Sequence, residues 1–174
     1  MMSVTTNLRP EPRRRSARRD PLLQDQQGKP VRFFADLLSK RRVLIHATYS
    51  GCTDTCPPAM HHLMQARQLL GPLGTALGFA SITLTPLDDT PQKLRELATR
   101  FELPPDWTLL TGAPREVEET LALLGLGAWS AAADDSLRHL AMARLCDGQR
   151  IRWAHINLLL PPRSIARMIR YEMA

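Results

Sequence analysis

Short apolar runs alternate with longer stretches of helical spacing along the chain. The continuous run Val43, Leu44 and Ile45 predicts a buried strand. Downstream of it, apolar residues recur every three or four positions, which predicts a helix that begins at a proline and stops before a Gly-Pro pair. The predicted strands span residues 31–34, 41–49, 78–85, 107–110, 139–145 and 150–153, and the predicted helices span residues 57 or 58 to 70, 88–101, 114–124 and 161 or 162 to about 171.

This order of elements predicts an α/β layer sandwich with a mixed sheet, because strands alternate with helices before a hairpin and a last helix close the chain. Asp147 and Gly148 form the strongest hairpin signal, since an Asp-Gly turn matches the twist of antiparallel strands. Thr90 or Asp89 is expected to cap the helix that follows, and Asp88 and Asp89 are interpreted as a capping pair rather than a metal site.

The charge of the chain is concentrated at its start. The 174 residues carry a formal charge of +6, which by itself is compatible with nucleic-acid binding. Six arginines lie within residues 1–20 against Glu11 and Asp20, so this segment carries +4 and the remainder only +2. No nucleic-acid partner is therefore expected. We expect residues 1–20 to form a disordered, arginine-rich tail and residues 21–174 to form a single domain.

Membrane spans and secretory signals both need long apolar segments. No apolar stretch approaches the roughly 18 residues of a membrane span, and the early arginines are not followed by the apolar core of a signal peptide. The sequence therefore predicts a soluble, cytoplasmic chain, or a domain whose anchor lies upstream. Three cysteines, two of them close together, indicate chemistry rather than a disulfide scaffold.

Cys52 and Cys56 lie between the predicted strand 41–49 and the helix that follows it. Open α/β sheets place their binding sites at this C-terminal end of the strands. The helix N-terminus is expected to lower the pKa of Cys56, which directly precedes Pro57. Residues four apart on a helix hold their Cβ atoms about 5–6 Å apart. Because a disulfide needs roughly 3.5–4.5 Å, it requires Cys52 to lie outside the helix. Two thiolates with a third ligand such as an imidazole suit copper, especially Cu(I), or zinc, so a redox dithiol and a soft-metal site both stay open.

Other residues with metal-binding or redox chemistry are expected to be structural. His46 lies inside a buried strand and is interpreted as a hydrogen-bonded core residue. Cys146, beside the predicted hairpin turn, is interpreted as a half-buried free thiol. No nucleophile–base set or phosphate-binding loop is visible, so no hydrolytic activity is expected. The other residues with expected packing or surface roles are Met60, Met64, His61, His62 and His155.

Three segments resemble motifs of the SCO/SenC family, thioredoxin-like copper proteins that assist assembly of the CuA centre of cytochrome c oxidase. Residues 49–57, Tyr-Ser-Gly-Cys-Thr-Asp-Thr-Cys-Pro, resemble its C-x-D-x-C-P motif. Residues 81–91 are similar to its strand and D-P-x-x-D-T-P turn, and residues 107–112 to its W-x-x-L-T-G motif. The resemblance extends over roughly residues 22–169, and it implies a thioredoxin-like three-layer sandwich with a mixed central sheet.

The resemblance also implies a set of metal ligands. Cys52 and Cys56 would be the sulfur ligands and His139, at the head of the late hairpin, the nitrogen ligand of one copper ion, Cu(I) or Cu(II). Asp54 is a position of the family motif, and we hypothesise that it tunes the site without binding the metal, an effect typically worth about 10–100-fold in affinity. The two glycines and four alanines of residues 125–136 predict a mobile loop that lets the histidine leave the metal.

A metallochaperone that delivers copper to the oxidase subunit carrying the CuA site is the function that the resemblance implies. It also implies a membrane-attached location, on the outer side of the bacterial inner membrane or in the mitochondrial intermembrane space, whereas the sequence itself reads as soluble. Two positions depart from the family pattern: Thr85 stands where the turn usually has Asp, and Leu140 where a Ser usually follows the histidine. The alternative is a thiol–disulfide oxidoreductase or redox sensor in which Cys52, if exposed, attacks and Cys56 resolves.

Overall fold

A seven-stranded mixed sheet is the framework of the protein, for which a computed structural model describes residues 19–39, 41–126, 141–147 and 150–174. The strands are β1 (Leu22–Asp25), β2 (Pro30–Arg32), β3 (Val43–Thr48), β4 (Gly78–Thr83), β5 (Trp107–Thr111), β6 (Met142–Asp147) and β7 (Arg150–Asn157). Their order across the sheet is β2-β1-β5-β4-β3-β6-β7. The central strands β3, β4 and β5 are parallel, and the outer pairings are antiparallel.

Helices cover both faces of this sheet. They are α1 (Cys56–Leu70), α2 (Pro72–Ala76), α3 (Pro91–Arg100), α4 (Pro114–Leu123) and α5 (Pro162–Met173), and a π-helical segment spans Phe33–Leu38. Each of these five helices has a proline in its first turn, where a missing N–H costs no hydrogen bond. Helices α1, α3 and α5 pack on one face around Phe79 and Trp107, and α4 packs on the other around Ile45 and Ile82. The predicted three-layer sandwich with a mixed sheet is confirmed.

Pairing with distant residues explains the elements that the local pattern does not predict. β1 is only four residues long and is stabilised between β2 and β5. The strand predicted over 31–34 ends at Arg32, because Phe33 and Leu38 turn into the core within the π-helical segment. Helix α1 begins at Cys56, one residue before the first predicted proline, and α2 follows where the sequence indicates only a helix stop. The predicted late hairpin is confirmed as β6 and β7.

His46 is a hydrogen-bonded core residue, as its place in the buried strand predicts. Its Nδ1 donates to the carbonyl of Ala47 (3.0 Å), and its Nε2 accepts from the hydroxyl of Ser81 (2.8 Å). Ser81 in turn accepts from the indole N–H of Trp107 (2.9 Å), so one chain of hydrogen bonds joins β3, β4 and β5. Burial lowers the pKa of His46 from 6.5 to about 4, because the charged ring would lose its hydration, and the bond to Ala47 offsets this only in part.

One edge of the sheet collects the C-terminal ends of β3 and β4 together with the start of β6. In the parallel pairing, Thr48 lies opposite Thr83 at the end of both strands. In the antiparallel pairing, His46 lies opposite Ala143, one residue after the start of β6. The loops that follow β3 and β4 therefore emerge side by side, next to the chain that enters β6.

Arg19, two residues before the expected start of the domain, is already in contact with the fold. Arg19 forms ion pairs with Glu116 and Glu119 on α4. Asp20 accepts two backbone N–H bonds at the start of the π-helical segment (2.7 and 3.1 Å). Most of the expected tail, residues 1–18, lies outside the described residues. None of the helices that the structure describes has the length and apolar character to cross a membrane.

The burial of a neutral imidazole predicts a pH dependence of stability. Below pH 6.5 the unfolded chain binds a proton at His46, whereas the folded protein does so only near pH 4. The contribution of His46 to the free energy of unfolding should therefore fall by about 3 kcal/mol as the pH drops through this window. In His46→Gln, urea unfolding should show a shallower decline with falling pH than in the unchanged protein. His61→Gln, on the exposed side of α1, is the control, and parallel curves for His46→Gln and the unchanged protein would contradict the prediction.

Candidate functional site

The segment between β3 and α1 brings Cys52 and Cys56 into one small apolar cluster. Cys52 lies in the loop, and Cys56 is the first residue of α1. Both are free cysteines, and they are 5% and 4% exposed. Tyr49 packs against them from the end of β3, and Leu84 from the segment after β4. The two thiols thus meet at the C-terminal edge of the parallel strands.

The N-terminus of α1 acts on Cys52 and not, as the sequence predicts, on Cys56. The backbone N–H of Cys56 donates a hydrogen bond to Sγ of Cys52 (3.2 Å). This N–H belongs to the first turn of the helix, where unpaired amides and the helix dipole favour negative charge on an acceptor. A negative charge on the pair is therefore better accommodated at the sulfur of Cys52.

The pKa of Cys56 is raised to about 12, which contradicts the lowered value expected at a helix start. Burial is the main cause, because a thiolate would lose its hydration in the cluster, and the hydrogen bond and charge of Cys52 add to it. The hydroxyl of Thr48 acts on the Cys56 sulfur in the opposite direction. Within the described residues this buried hydroxyl has no hydrogen-bond partner of ordinary geometry. Cys56 is therefore a neutral thiol at neutral pH and must release a proton before it binds a metal ion.

The phenol of Tyr49 interacts with the sulfur of Cys52. Desolvation raises the pKa of Tyr49, and the charge of Cys52 and a side-chain hydrogen bond to it raise it further. A neutral phenol remains a hydrogen-bond donor, so the Cys52 sulfur faces the O–H of Tyr49 and the N–H of Cys56. Sequence patterns alone do not single out Tyr49 and Thr48 as site residues. Their position could have indicated them, because side chains at the C-terminal end of a parallel strand lie at the edge of the sheet where binding sites form.

Asp89 joins the cysteine loop to the turn that follows β4. Its carboxylate is fully buried. It accepts hydrogen bonds from the backbone N–H of Ser50 (3.1 Å), the hydroxyl of Thr83 (2.6 Å) and the hydroxyl of Thr85 (3.2 Å). Three donors, one from the cysteine loop and two from the end of β4 and its following turn, therefore converge on one carboxylate.

The start of α3 corrects the interpretation of Asp88 and Asp89 as a capping pair. Thr90 alone is the cap, and its hydroxyl accepts a hydrogen bond from the backbone N–H of Lys93 (3.3 Å). Asp88 is exposed, whereas Asp89 turns inward. The sequence feature that could have indicated the inward orientation of Asp89 is the pair of threonines at 83 and 85. Alternate residues of a strand share a face, so both hydroxyls can reach one buried acceptor.

Asp54 lies on the exposed side of the cysteine loop, where its carboxylate accepts a hydrogen bond from the hydroxyl of Thr53 (3.3 Å). Its charge also contributes to the raised pKa of Tyr49. His139, Leu140 and most of the expected mobile loop lie outside the described residues. Within the part of the chain that the structure describes, no three His, Cys, Asp or Glu side chains are grouped so as to hold a metal ion. The tuning role of Asp54 and the ligand role of His139 stay predictions.

The other candidates occupy structural positions. Nδ1 of His62 donates to the carbonyl of Leu158 (3.0 Å), and the ring of His61 contacts Phe101 edge-on at 5.7 Å between centroids. Cys146 is fully rather than half buried, because it faces the layer between the sheet and α4, and burial raises the pKa of its thiol. Met60 lies in the core, Met64 packs against it, and His155 is exposed on β7.

Two kinds of chemistry are open to this arrangement. Because Cys52 lies outside α1, the spacing of a regular helix does not oppose a disulfide with Cys56. The same two sulfurs offer a soft metal ion two donors at the end of the sheet. The geometry therefore supports both a dithiol–disulfide couple and a soft-metal site.

Comparison with known proteins gives one family and one fold. A family model described as SCO1/SenC matches residues 13–174. ScoI of Bradyrhizobium japonicum, solved with copper bound, is 22% identical with a TM-score of 0.65, over 87% of this chain and 97% of that one. Yeast Sco1, also solved with copper bound, is 20% identical with a TM-score of 0.70, over 89% and 91%.

A third structure, BsSco, is described as a member of the Sco family of cytochrome c oxidase assembly proteins in which a disulfide switch was identified. It is 21% identical with a TM-score of 0.67, over 87% of this chain and 90% of that one. At these identities the likeness shows the fold, which is thioredoxin-like as predicted. No curated protein matches the sequence.

The unequal environments of the two thiols predict unequal reactivity. We expect Cys52 to be alkylated at least ~10-fold faster than Cys56 at pH 8, because the thiolate is the nucleophile and the two residues are about equally buried. Cys56→Ser and Cys52→Ser, each combined with Cys146→Ser, leave one thiol apiece, and serine at position 56 keeps the N–H that reaches Cys52. Iodoacetamide rates on the reduced, metal-free variants measure the difference. Equal rates, or a faster Cys56, would contradict the prediction.

Proposed function

The chain belongs to the SCO1/SenC family, and we propose that it is a copper metallochaperone. Its cargo is one copper ion, Cu(I) or Cu(II), held by Cys52, Cys56 and His139 and delivered to the CuA site of a cytochrome c oxidase subunit. The observation that carries the proposal is the pair of free thiols in one cluster at the edge of the sheet where β6 begins. The copper in the ScoI and Sco1 structures supports the choice of metal, and the description of BsSco supports the destination.

The pairing of β3 with β6 supports His139 as the third ligand. His46 lies opposite Ala143, and each step back along β6 corresponds to one step forward along β3. The chain that enters β6 therefore arrives at the edge of the sheet that carries the cysteine loop. Ala141 is buried, and its carbonyl accepts a hydrogen bond of 2.7 Å from the backbone after β7. The chain two residues after His139 is therefore fixed at this edge.

The described residues on both sides of segment 127–140 are held in the fold. Leu126 and Ala141, the described residues that flank this segment, are both buried. Arg144 on β6 donates two hydrogen bonds to carbonyls at the end of α4 (2.7 and 3.1 Å), which joins the two flanks. The proposal is that the segment between these anchors lets His139 leave the metal while both thiolates still hold it.

The donor set suits a copper ion that must be released. Two thiolates and an imidazole are soft enough for Cu(I) and also bind Cu(II). Cys56 must lose its proton on binding, so the affinity rises with pH. Three ligands leave the ion open to a fourth, and an incoming client thiolate can bind before a chaperone thiolate departs. Copper then passes by ligand exchange, without a change in its oxidation state.

Thiol–disulfide exchange is the second candidate function, favoured by the hydrogen bond from the Cys56 N–H to Cys52. In this proposal the Cys52 thiolate attacks a client disulfide, forms a mixed disulfide and releases one client thiolate. Cys56, deprotonated, then attacks Sγ of Cys52 and releases the second client thiolate. The client gains two electrons, and the Cys52–Cys56 pair is left oxidised. The same oxidation abolishes copper binding, so one pair serves both functions at different times.

Copper titration of the reduced protein tests the proposed function. We expect one Cu(I) per chain, with binding lost in both Cys52→Ser and Cys56→Ser, because each variant removes one of the two sulfur donors. Cys146→Ser is the matched control, since this thiol is buried in a separate part of the core. A copper stoichiometry near zero in the unchanged protein, or full binding in either site variant, would refute the chaperone proposal.

His139→Ala separates the two candidate functions, because exchange chemistry needs only the cysteines. We expect the copper affinity to fall at least about 100-fold. Loss of a residue that only hydrogen-bonds to a ligand typically lowers metal affinity by roughly 10–100-fold. The rate of reduction of a model disulfide should stay unchanged. Competition with a Cu(I) chelator measures the first quantity, and thiol release from the disulfide measures the second. Unaltered affinity would remove His139 from the ligand set.

A further inference from the structure

The buried carboxylate of Asp89 has a role that a helix cap does not explain. We propose that Asp89 is a positioning residue that clamps Ser50 and thereby holds the cysteine loop in its closed, thiol-burying conformation. Ser50 lies at the start of this loop, two residues before Cys52. The effect on copper rests on the proposed function, whereas the clamp itself acts on the metal-free protein.

The contacts of Asp89 link the cysteine loop to the end of β4 and the turn that follows it. The backbone N–H of Ser50 lies 3.1 Å from Oδ2 and 3.3 Å from Oδ1, and it comes from the cysteine loop. The hydroxyl of Thr83 (2.6 Å) comes from the end of β4, and the hydroxyl of Thr85 (3.2 Å) from the turn that follows it. Because the N–H belongs to the backbone, no substitution at position 50 other than proline removes it.

A carboxylate suits this place because every group that faces it is a donor. Asp89 has no exposed surface, and none of the ion pairs found among the described residues includes it. Its charge is therefore compensated by the hydrogen bonds themselves, and such charge-assisted bonds are stronger than neutral ones. An asparagine has the same shape but one acceptor oxygen in place of two, and its NH₂ group would face a donor.

Ser50 transmits this fixation to the thiols. Its carbonyl accepts a hydrogen bond from the guanidinium of Arg100 (3.2 Å), so both of its backbone polar groups are held from the side of α3. Ser50 lies inside a tight turn in which the N–H of Cys52 donates to the carbonyl of Tyr49 (3.2 Å). Cys52 then accepts the N–H at the start of α1. Release of Ser50 would free the turn that positions Cys52 at the start of α1.

Site-resolved alkylation tests the clamp, because the chain carries its own reporter of global unfolding. Cys146 is as deeply buried as the pair but lies in a different part of the core. In reduced, metal-free Asp89→Asn we expect iodoacetamide to modify Cys52 and Cys56 about 10-fold faster or more, from the loss of bonds to a charged group. Cys146 should keep its original rate. Asp88→Asn is the matched control, since it makes the same change of charge at the exposed neighbouring carboxylate.

Faster modification of all three cysteines would overturn the proposal, because Asp89 would then stabilise the whole fold rather than the loop. Unchanged rates at Cys52 and Cys56 would also overturn it, as would an equal acceleration in Asp88→Asn. If Asp89→Asn does not fold, Thr85→Val removes a single half-buried donor to the same carboxylate. That variant should accelerate the pair a few-fold with Cys146 unaffected, and no acceleration would overturn the clamp.

A copper measurement on the same variants separates this proposal from the proposed function. If the protein binds Cu(I) as proposed, Asp89→Asn should weaken binding about 10-fold in a chelator competition, and Asp88→Asn should not. Alkylation that follows the expected pattern in a protein that binds no copper would leave the clamp standing and refute the chaperone. Normal copper affinity in Asp89→Asn, with unchanged alkylation, would refute the clamp and leave the chaperone standing.

Discussion

The pairing of β3 with a parallel strand on one side and an antiparallel strand on the other determines which segments meet at the functional edge of the sheet. The parallel partner β4 brings the turn with Asp89 beside the cysteine loop, and the antiparallel partner β6 directs its incoming chain to the same edge. A slip of one residue in either register would turn every side chain of the strand to the other face. The hydrogen-bonded chain from Trp107 through Ser81 to His46 makes a slip between β3 and β4 costly.

Burial gives the dithiol its chemical character. Two sulfurs at the margin of the core are enclosed by Tyr49 and Leu84, and both are largely hidden from solvent. The helix start and the Tyr49 phenol favour charge at Cys52, whereas desolvation keeps Cys56 protonated. A soft cation would relieve this conflict, because it compensates the charge that the apolar surroundings disfavour. The same enclosure limits access of other thiols and oxidants to the pair.

Local patterns predict most elements of the fold, since the apolar run of β3 and the helical spacing of α1 are strong signals. They also place the cysteines at the right end of the strand. Two features of the site depend on contacts between residues distant in sequence, and local patterns do not predict them. The helix start next to Cys56 predicts a lowered pKa, but burial by residues from other elements raises it. Asp89 precedes Thr90 and Pro91 as a cap would, yet its partners are Ser50, Thr83 and Thr85.

X-ray absorption spectroscopy at the copper edge of the Cu(I)-loaded protein tests most directly whether two thiolates and one imidazole meet at this edge. A first coordination shell of two sulfur atoms and one nitrogen, with the outer-shell scattering typical of an imidazole ring, is the predicted result. A shell of sulfur alone, or one of nitrogen and oxygen without sulfur, would contradict the proposed convergence of Cys52, Cys56 and His139.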